Sequence, residues 1–466
     1  MNMFKQMLFL VVFFVGLSGH IFAQDLSLDG VMQARMKNMN AIIEGEDVVG
    51  YYMFYEVDKK DRKTRNYLLQ LFDQNLNKTT SKRILGTQYL NLIDARYNGE
   101  TIMLKFIDAR EKIYLYKQYD KNAELVYTKE RAIEPLEYNL LAEGTDVSFG
   151  AGAMDIIEIP NSGFANISTK KNKKLGYHIE FFPKSKGTKG WKYTSSPKSK
   201  LIEVATHLGG NEEIYVANVL KRPNGFSQQI TSVVLGLDTK TGEKLYEIDL
   251  SDEKYRIFAF SCFLEQAKKQ SVLFGYYFDK TAAKKNKSKG ICAVTVDNTS
   301  GEIISRKFVS WSEDVAKYLD VNNKGKVKGE GYTHFHKFIK TSNGKIYGIG
   351  EQFRQSASAA GIALTAVGVG GNVTKLVIED LVLYEFSENF ELTGTKFVEK
   401  GKTEALAGNL LNVQMGGFYI NSIGLFDYMF VQKNIKEDIF TVFYTQREKK
   451  SKGWQVRTLT QVDNSY

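Results

Sequence analysis

The stretch SVVLGLDTKTGEKL, residues 232–245, is an apolar strand, a polar turn opened by Asp238, and a second strand. Four others repeat it: YLLQLFDQNLNK (67–78), IYLYKQYDKNAEL (113–125), ICAVTVDNTSGEII (291–304) and LVLYEFSENFELTG (381–394). In each, Asp73, Asp120, Asp238, Asp297 or Ser387 closes the strand. A short oxygen-bearing side chain there accepts hydrogen bonds from the turn backbone, and Gly242 and Gly301 supply positive φ. A supersecondary unit that recurs along a chain sets the architecture more firmly than any single motif.

The spacing exposes further copies. Asp120 and Asp238 are 118 residues apart, twice the 59 between Asp238 and Asp297. Midway lies GYHIEFFPKSKGTKGWKY (176–193), a degenerate strand–turn–strand centred near Pro183, and DIFTVFYTQREKKSKGWQVRTL (438–459) adds a seventh. Further strands precede most hairpins, at 95–108, 212–221, 255–278, 334–353 and 416–432. Three or four antiparallel strands recurring every 50–60 residues or so predict an all-β fold, a β-propeller of seven blades. Tandem β-sandwiches are the alternative, and they leave the seven-fold recurrence unexplained. Helical patterns are scarce, and the best is WSEDVAKYL (311–319), with Ser310 and Glu313 placed as a capping box. The expected domain runs over 24–466, with insertions near 134–165 and 355–374.

Residues 1–23 read as a signal peptide: Lys5, then an apolar run from Met7 to Leu17, broken by Gly16, Ser18 and Gly19, with Ala23 before the cut. That run is too short for a bilayer span. An exported protein is expected, periplasmic, outer-membrane-associated or secreted, with no transmembrane span and peripheral membrane contact left open. Cys262 and Cys292 fall on strands separated by 271–278. Two strand spacings are about 9–10 Å, beyond the reach of a disulfide, so two free thiols are expected. The net charge of +10 comes from Lys-rich loops, as around Lys171, Lys287 and Lys326. Scattered lysines suit solvated loops that guard sheet edges, and export with little Arg argues against nucleic acid.

Chemistry is sparsely signalled. On a strand, His334 and His336 share a face, and Glu330 is the carboxylate that could complete a metal site with them. The Asp73 and Asp320 segments mimic calcium loops, but the first lacks the glycine at position six and the second has Gly331 where a bidentate Glu belongs. No GxSxG or HExxH occurs in the exported part, no catalytic residues can be assigned, and no cofactor is expected. Residues 355–374 form an uncharged small-residue stretch before Lys375, and Ala359, Ile362, Leu364, Val367 and Val369 are its partner-docking candidates.

The segment VVGYYMFYEVDKKDRKTRNYLLQLFDQNLN (48–77), together with EQFRQ (351–355) and LVIEDLVLYEFSENFEL (376–392), resembles an uncharacterised exported family of Bacteroidota-type bacteria. The resemblance implies a propeller-like exported protein of unknown role and brings no site residues with it. The expected function is a binding or scaffold module for an envelope protein or polysaccharide partner. The alternative is a secreted, glycan-directed hydrolase with carboxylates at the propeller funnel.

Overall fold

The alternating runs pair locally into seven antiparallel sheets in a computed structural model, which describes residues 39–44, 47–134, 156–171, 174–185, 187–224, 230–280, 287–357, 374–407, 414, 416–422, 425–434, 439–447 and 454–461. Blade 1 comprises Met39–Glu44, Asp47–Lys59, Thr64–Asp73 and Lys78–Thr87; blade 2, Leu90–Tyr97, Thr101–Asp108, Ile113–Asp120 and Leu125–Ala132. Blade 3 comprises Ile156–Ile159, Gly163–Lys171, Leu175–Pro183 and Lys192–Thr194; blade 4, Ile202–Gly210, Ile214–Arg222, Thr231–Asp238 and Lys244–Asp249. Blade 5 comprises Tyr255–Glu265, Gln270–Asp279, Gly290–Asp297 and Ile303–Ser310. Blade 6 comprises Gly331–Lys340, Ile346–Ala357, Thr374–Phe386 and Leu392–Val398, with Lys326–Val327 and Thr403–Ala407 added. Blade 7 comprises Tyr428–Asn434, Ile439–Arg447 and Trp454–Gln461. The first strands of blades 1 to 6 pack against one another in sequence, and the first strand of blade 7 packs against the second of blade 1. The chain is a seven-bladed β-propeller.

Burial follows from sheets stacked face to face. Middle strands are covered on both sides, so Thr101–Asp108 is buried at every position but Ile107, whereas the outer strand Leu125–Ala132 has no fully buried residue. The core is therefore divided into seams. One apolar cluster joins each pair from blades 1 and 2 through blades 6 and 7, for example Leu69 with Phe106 between blades 1 and 2, and Ile179 with Tyr215 between blades 3 and 4.

The turn residues act as the sequence implies, in two lengths. Asp73 Oδ1 accepts from the backbone of Asn75 and Asn77, Asp120 Oδ1 from Asn122 and Glu124, and Ser387 Oγ from Glu391. The left-handed residue in these short turns is Leu76, Ala123 or Phe390. Ala123 and Phe390 are buried, which offsets the backbone cost of that conformation. Asp238 and Asp297 open turns one residue longer, with Gly242 (φ 74°) and Gly301 (φ 75°) in that role. Here an aromatic ring from the preceding blade occupies the space of a side chain. A Cβ on Gly242 would meet Trp191 at 2.5 Å, and one on Gly301 would meet Tyr246 at 2.7 Å. Trp191 Nε1 also donates to Thr239 O at 2.7 Å.

Some expectations need correction. Residues 311–319 form turns around a single 3-10 turn, Val315–Lys317. Ser310 Oγ accepts from the Glu313 N–H at 3.4 Å, which is one half of the capping box, but Asp314, not Glu313, reaches back to the Ser310 backbone N–H, at 2.8 Å. The span 134–165 is not wholly an insertion: from Ile156 it supplies the first two strands of blade 3, while 135–155 lies outside the described residues. The strand Gln270–Asp279 lies between the two cysteine-bearing strands, and Cys262 and Cys292 are free thiols. The signal segment 1–23 also lies outside the described residues. No helix among those described is long and apolar enough to cross a membrane.

Candidate functional site

The first two strands of blade 6 form a hairpin that pairs Lys340 with Ile346 and His334 with Glu351, with a bulge between Phe335 and Lys337. The bulge turns both histidines toward blade 7. His336 Nε2 donates to Glu351 Oε2 at 3.2 Å, and its ring stacks on Tyr428 at 4.4 Å. The carboxylate partner is thus Glu351 from across the hairpin, not Glu330. His334 packs parallel to Phe426 (4.9 Å) and edge-on to Phe418 (5.2 Å). Burial, and secondarily the neighbouring His336, holds its pKa well below the usual histidine value.

Glu351 is the hub. Lys400 Nζ lies 2.9 Å from Oε1, and the backbone N–H groups of Asp427 and Tyr428 donate to its two oxygens at 3.2 Å. Burial alone would raise its pKa, but the His336 hydrogen bond and the Lys400 charge outweigh it and keep the pKa low. Lys400 comes from the connection after Leu392–Val398 and also pairs with Asp427, which accepts from Thr403 Oγ1 at 3.0 Å. Lys400 is fully buried; burial would lower its pKa, but Glu351 and Asp427 raise it. One ammonium faces two carboxylates, and the second loses. Burial first, then Glu351, drives Asp427 up to about 6 against the pull of Lys400.

A second charged group adjoins the first, since the Lys400 N–H donates to Asp380 Oδ1. Glu379 is buried and held by Arg354 (2.7 Å) and Lys402 (2.7 Å). Glu330 belongs here: burial, then the charges of Glu379 and Asp380, raises its pKa. Among the described residues no three His, Cys, Asp or Glu side chains are grouped to hold a metal ion. The first network joins groups that are saturated by one another. What it does chemically is fix blade 6, its connection and the start of blade 7 in one arrangement.

Above this base the blade 6 hairpin is extended. Its second and third strands stay paired as far as Ala357 and Thr374, and Thr403–Ala407 lines the outer edge of the extension from Thr374 to Ile378. Tyr332, Phe353, Leu376, Ile378, Ile420 and Phe426 form an apolar cluster beneath it, and Ile420 belongs to the helix Gly416–Ser422. Ala359, Ile362, Leu364, Val367 and Val369 lie outside the described residues, on the sequence joining the two paired strands. Sequence reasoning missed Glu351, Lys400 and Asp427.

The model of a family described as a family of unknown function, DUF6770, matches residues 3–466. No curated protein matches the chain. Among solved structures, the β-propeller domain of the Trilobed protease from Pyrococcus furiosus is similar at 10% identity, over 93% of this chain and 97% of that one, with a TM-score of 0.42. BamB from Moraxella catarrhalis is similar at 9% identity over 94% and 96% (TM-score 0.34). A member of the duf4221 family from Bacteroides vulgatus is similar at 11% identity over 94% and 96% (TM-score 0.31).

Proposed function

The chain belongs to DUF6770, a family of unknown function, and on that premise we propose that it is an exported binding module whose partner is a protein of the cell envelope. The observation that carries this reading is the extended hairpin of blade 6. Its two strands stay paired to Ala357 and Thr374, past a bulge between Glu351 and Phe353, it has an edge strand of its own, and it rests on an apolar cluster and a buried ion network. A stem supported in this way is ordered before any partner arrives, which lowers the ordering cost of binding. The sequence it carries, residues 358–373, contains no charged side chain and is rich in Ala, Val and Gly. Such a sequence suits an apolar protein partner better than a sugar, which needs directional polar groups. Ala359, Ile362, Leu364, Val367 and Val369 are the contacts this reading assigns.

The hydrolase alternative needs carboxylates free to act, and Glu379 is engaged by both Arg354 and Lys402. The test is chemical cross-linking in intact cells, comparing the full chain with a variant in which 358–373 is replaced by Asn-Gly. Loss of one specific cross-linked envelope protein, with the variant still folded by circular dichroism, is the expected result. An unchanged partner set, or retention on immobilised polysaccharide alone, sinks the proposal.

A further inference from the structure

The apolar cluster between blades 2 and 3 includes Met103, Phe164 and Phe182. Two positions along the same strands stand Lys105, Asn166 and Glu180, and a step of two keeps a side chain on the same face. The seam thus passes from apolar to polar while staying buried. Lys105 is fully buried, and its Nζ donates to Asn166 Oδ1 at 2.8 Å. The rings of Tyr114 and Tyr116 lie 5.3 and 5.8 Å from the same nitrogen. A C=O bond is about 1.23 Å long, so Nζ is within about 4 Å of the amide carbon. An amine held that close to an amide carbonyl is a nucleophile beside its electrophile. Removal from water favours a neutral amine over an ammonium, and the neutral amine is what attacks.

A proton acceptor stands beside the pair. Asn166 is directly opposite Glu180 in the ladder, so both side chains face blade 2, with Cβ atoms about 5 Å apart. Glu180 is buried, and Lys129 and Lys192 hold its Oε1 at 3.2 and 3.3 Å. Its Oε2 and the Asn166 Nδ2 are also buried, and neither has a hydrogen-bond partner. Burial would raise the Glu180 pKa, but the charges of Lys129 and Lys192 outweigh it and hold it below the usual carboxylate value.

We propose that Lys105 and Asn166 join in an isopeptide bond, Nζ to Cγ, with Glu180 carrying the proton. The neutral amine attacks Cγ, and Glu180 Oε2 takes the proton that the nitrogen sheds. The carboxyl returns that proton to Nδ2 as the Cγ–Nδ2 bond breaks, so one ammonia leaves and the carboxylate is restored. The balance needs no oxidant and no cofactor. The bond ties blade 2 to blade 3 between positions 61 apart in the sequence, in a chain whose two cysteines are free thiols.

The test is peptide mass analysis of the purified full chain, digested after complete unfolding so that only a covalent link survives. Most molecules should yield a branched peptide joining the Lys105 and Asn166 segments, lighter by one ammonia than the two linear peptides together. Lys105→Arg should restore the full mass, and Glu180→Gln, which keeps both reacting groups, should leave most chains unlinked. Linear Lys105 and Asn166 peptides recovered from the native chain in place of the branched one overturn the proposal, whether or not the variants fold. So does an ammonia loss that persists in Lys105→Arg, since cyclisation of an N-terminal Gln such as Gln24 gives the same change in mass. Complete linkage in Glu180→Gln would overturn the role given to Glu180.

Discussion

The seam between blades 5 and 6 and the seam between blades 6 and 7 share blade 6 and are built on opposite principles. The first is aromatic: Phe274 lies flat on Phe338 with ring centroids 4.0 Å apart, among Tyr276, Phe335 and Tyr384. The second combines a smaller apolar cluster, including Ile339, Tyr347 and Val431, with His336, Glu351, Lys400 and Asp427. A dry seam is strong without being directional, because apolar area counts wherever it is buried. A buried ion network gains little over apolar packing of the same volume, but its bonds are directional and removing one partner leaves a buried charge uncompensated. Blade 6 is thus glued on one side and keyed on the other, and the keyed side is the base of its extended hairpin.

The contrast can be broken most sharply at the key. Lys400→Met leaves two buried carboxylates without a counter-charge and should cost about 4 kcal/mol in denaturant unfolding; a loss under about 1 kcal/mol would mean that water already reaches the network. Phe338→Ala on the dry side should cost about 3 kcal/mol, with no change in the pH dependence of stability. The third effect separates the seams by pH. Asp427 stands at about 6 in the folded chain against 3.8 ordinarily, so folding takes up a proton. The stability gained from that proton is complete below about pH 4 and is lost as the pH rises through about 6. Asp427→Asn should therefore remove roughly 2 kcal/mol of pH dependence between pH 4 and 7. Parallel profiles for the variant and the native chain would show that Asp427 does not titrate there. The smallest effect lies outside both seams: Ser387→Ala removes one turn hydrogen bond and should cost about 0.5 kcal/mol.

The ring was legible in the sequence because its information is local. Each turn residue bonds to backbone two to four positions on, so Asp73, Asp120, Asp238, Asp297 and Ser387 mark their hairpins wherever the rest of the chain goes. The first strands of blade 3 escaped because Ile156–Ile159 is four residues long and follows a stretch without alternation. The charged key was half legible. His334 and His336 announced themselves, but Glu330 was paired with them by nearness in sequence. An even count from Lys340 opposite Ile346 sets Glu351 opposite Phe335; only the bulge between Phe335 and Lys337, which the sequence does not announce, brings it opposite His334. Lys400 and Asp427 gave no signal, since they sit in connections more than 60 residues from His336 and no periodicity governs such positions.

The rings seated on the turn glycines give this part of the propeller a polarity. Trp191 of blade 3 fills the place over Gly242 of blade 4, and Tyr246 of blade 4 fills the place over Gly301 of blade 5. Each blade is indexed by the one before it, like links that engage in one sense only. Duplicating or deleting a single blade here would set a ring against the wrong turn or leave a glycine uncovered. Blades 3 to 5 are therefore coupled through their turns as well as through their seams.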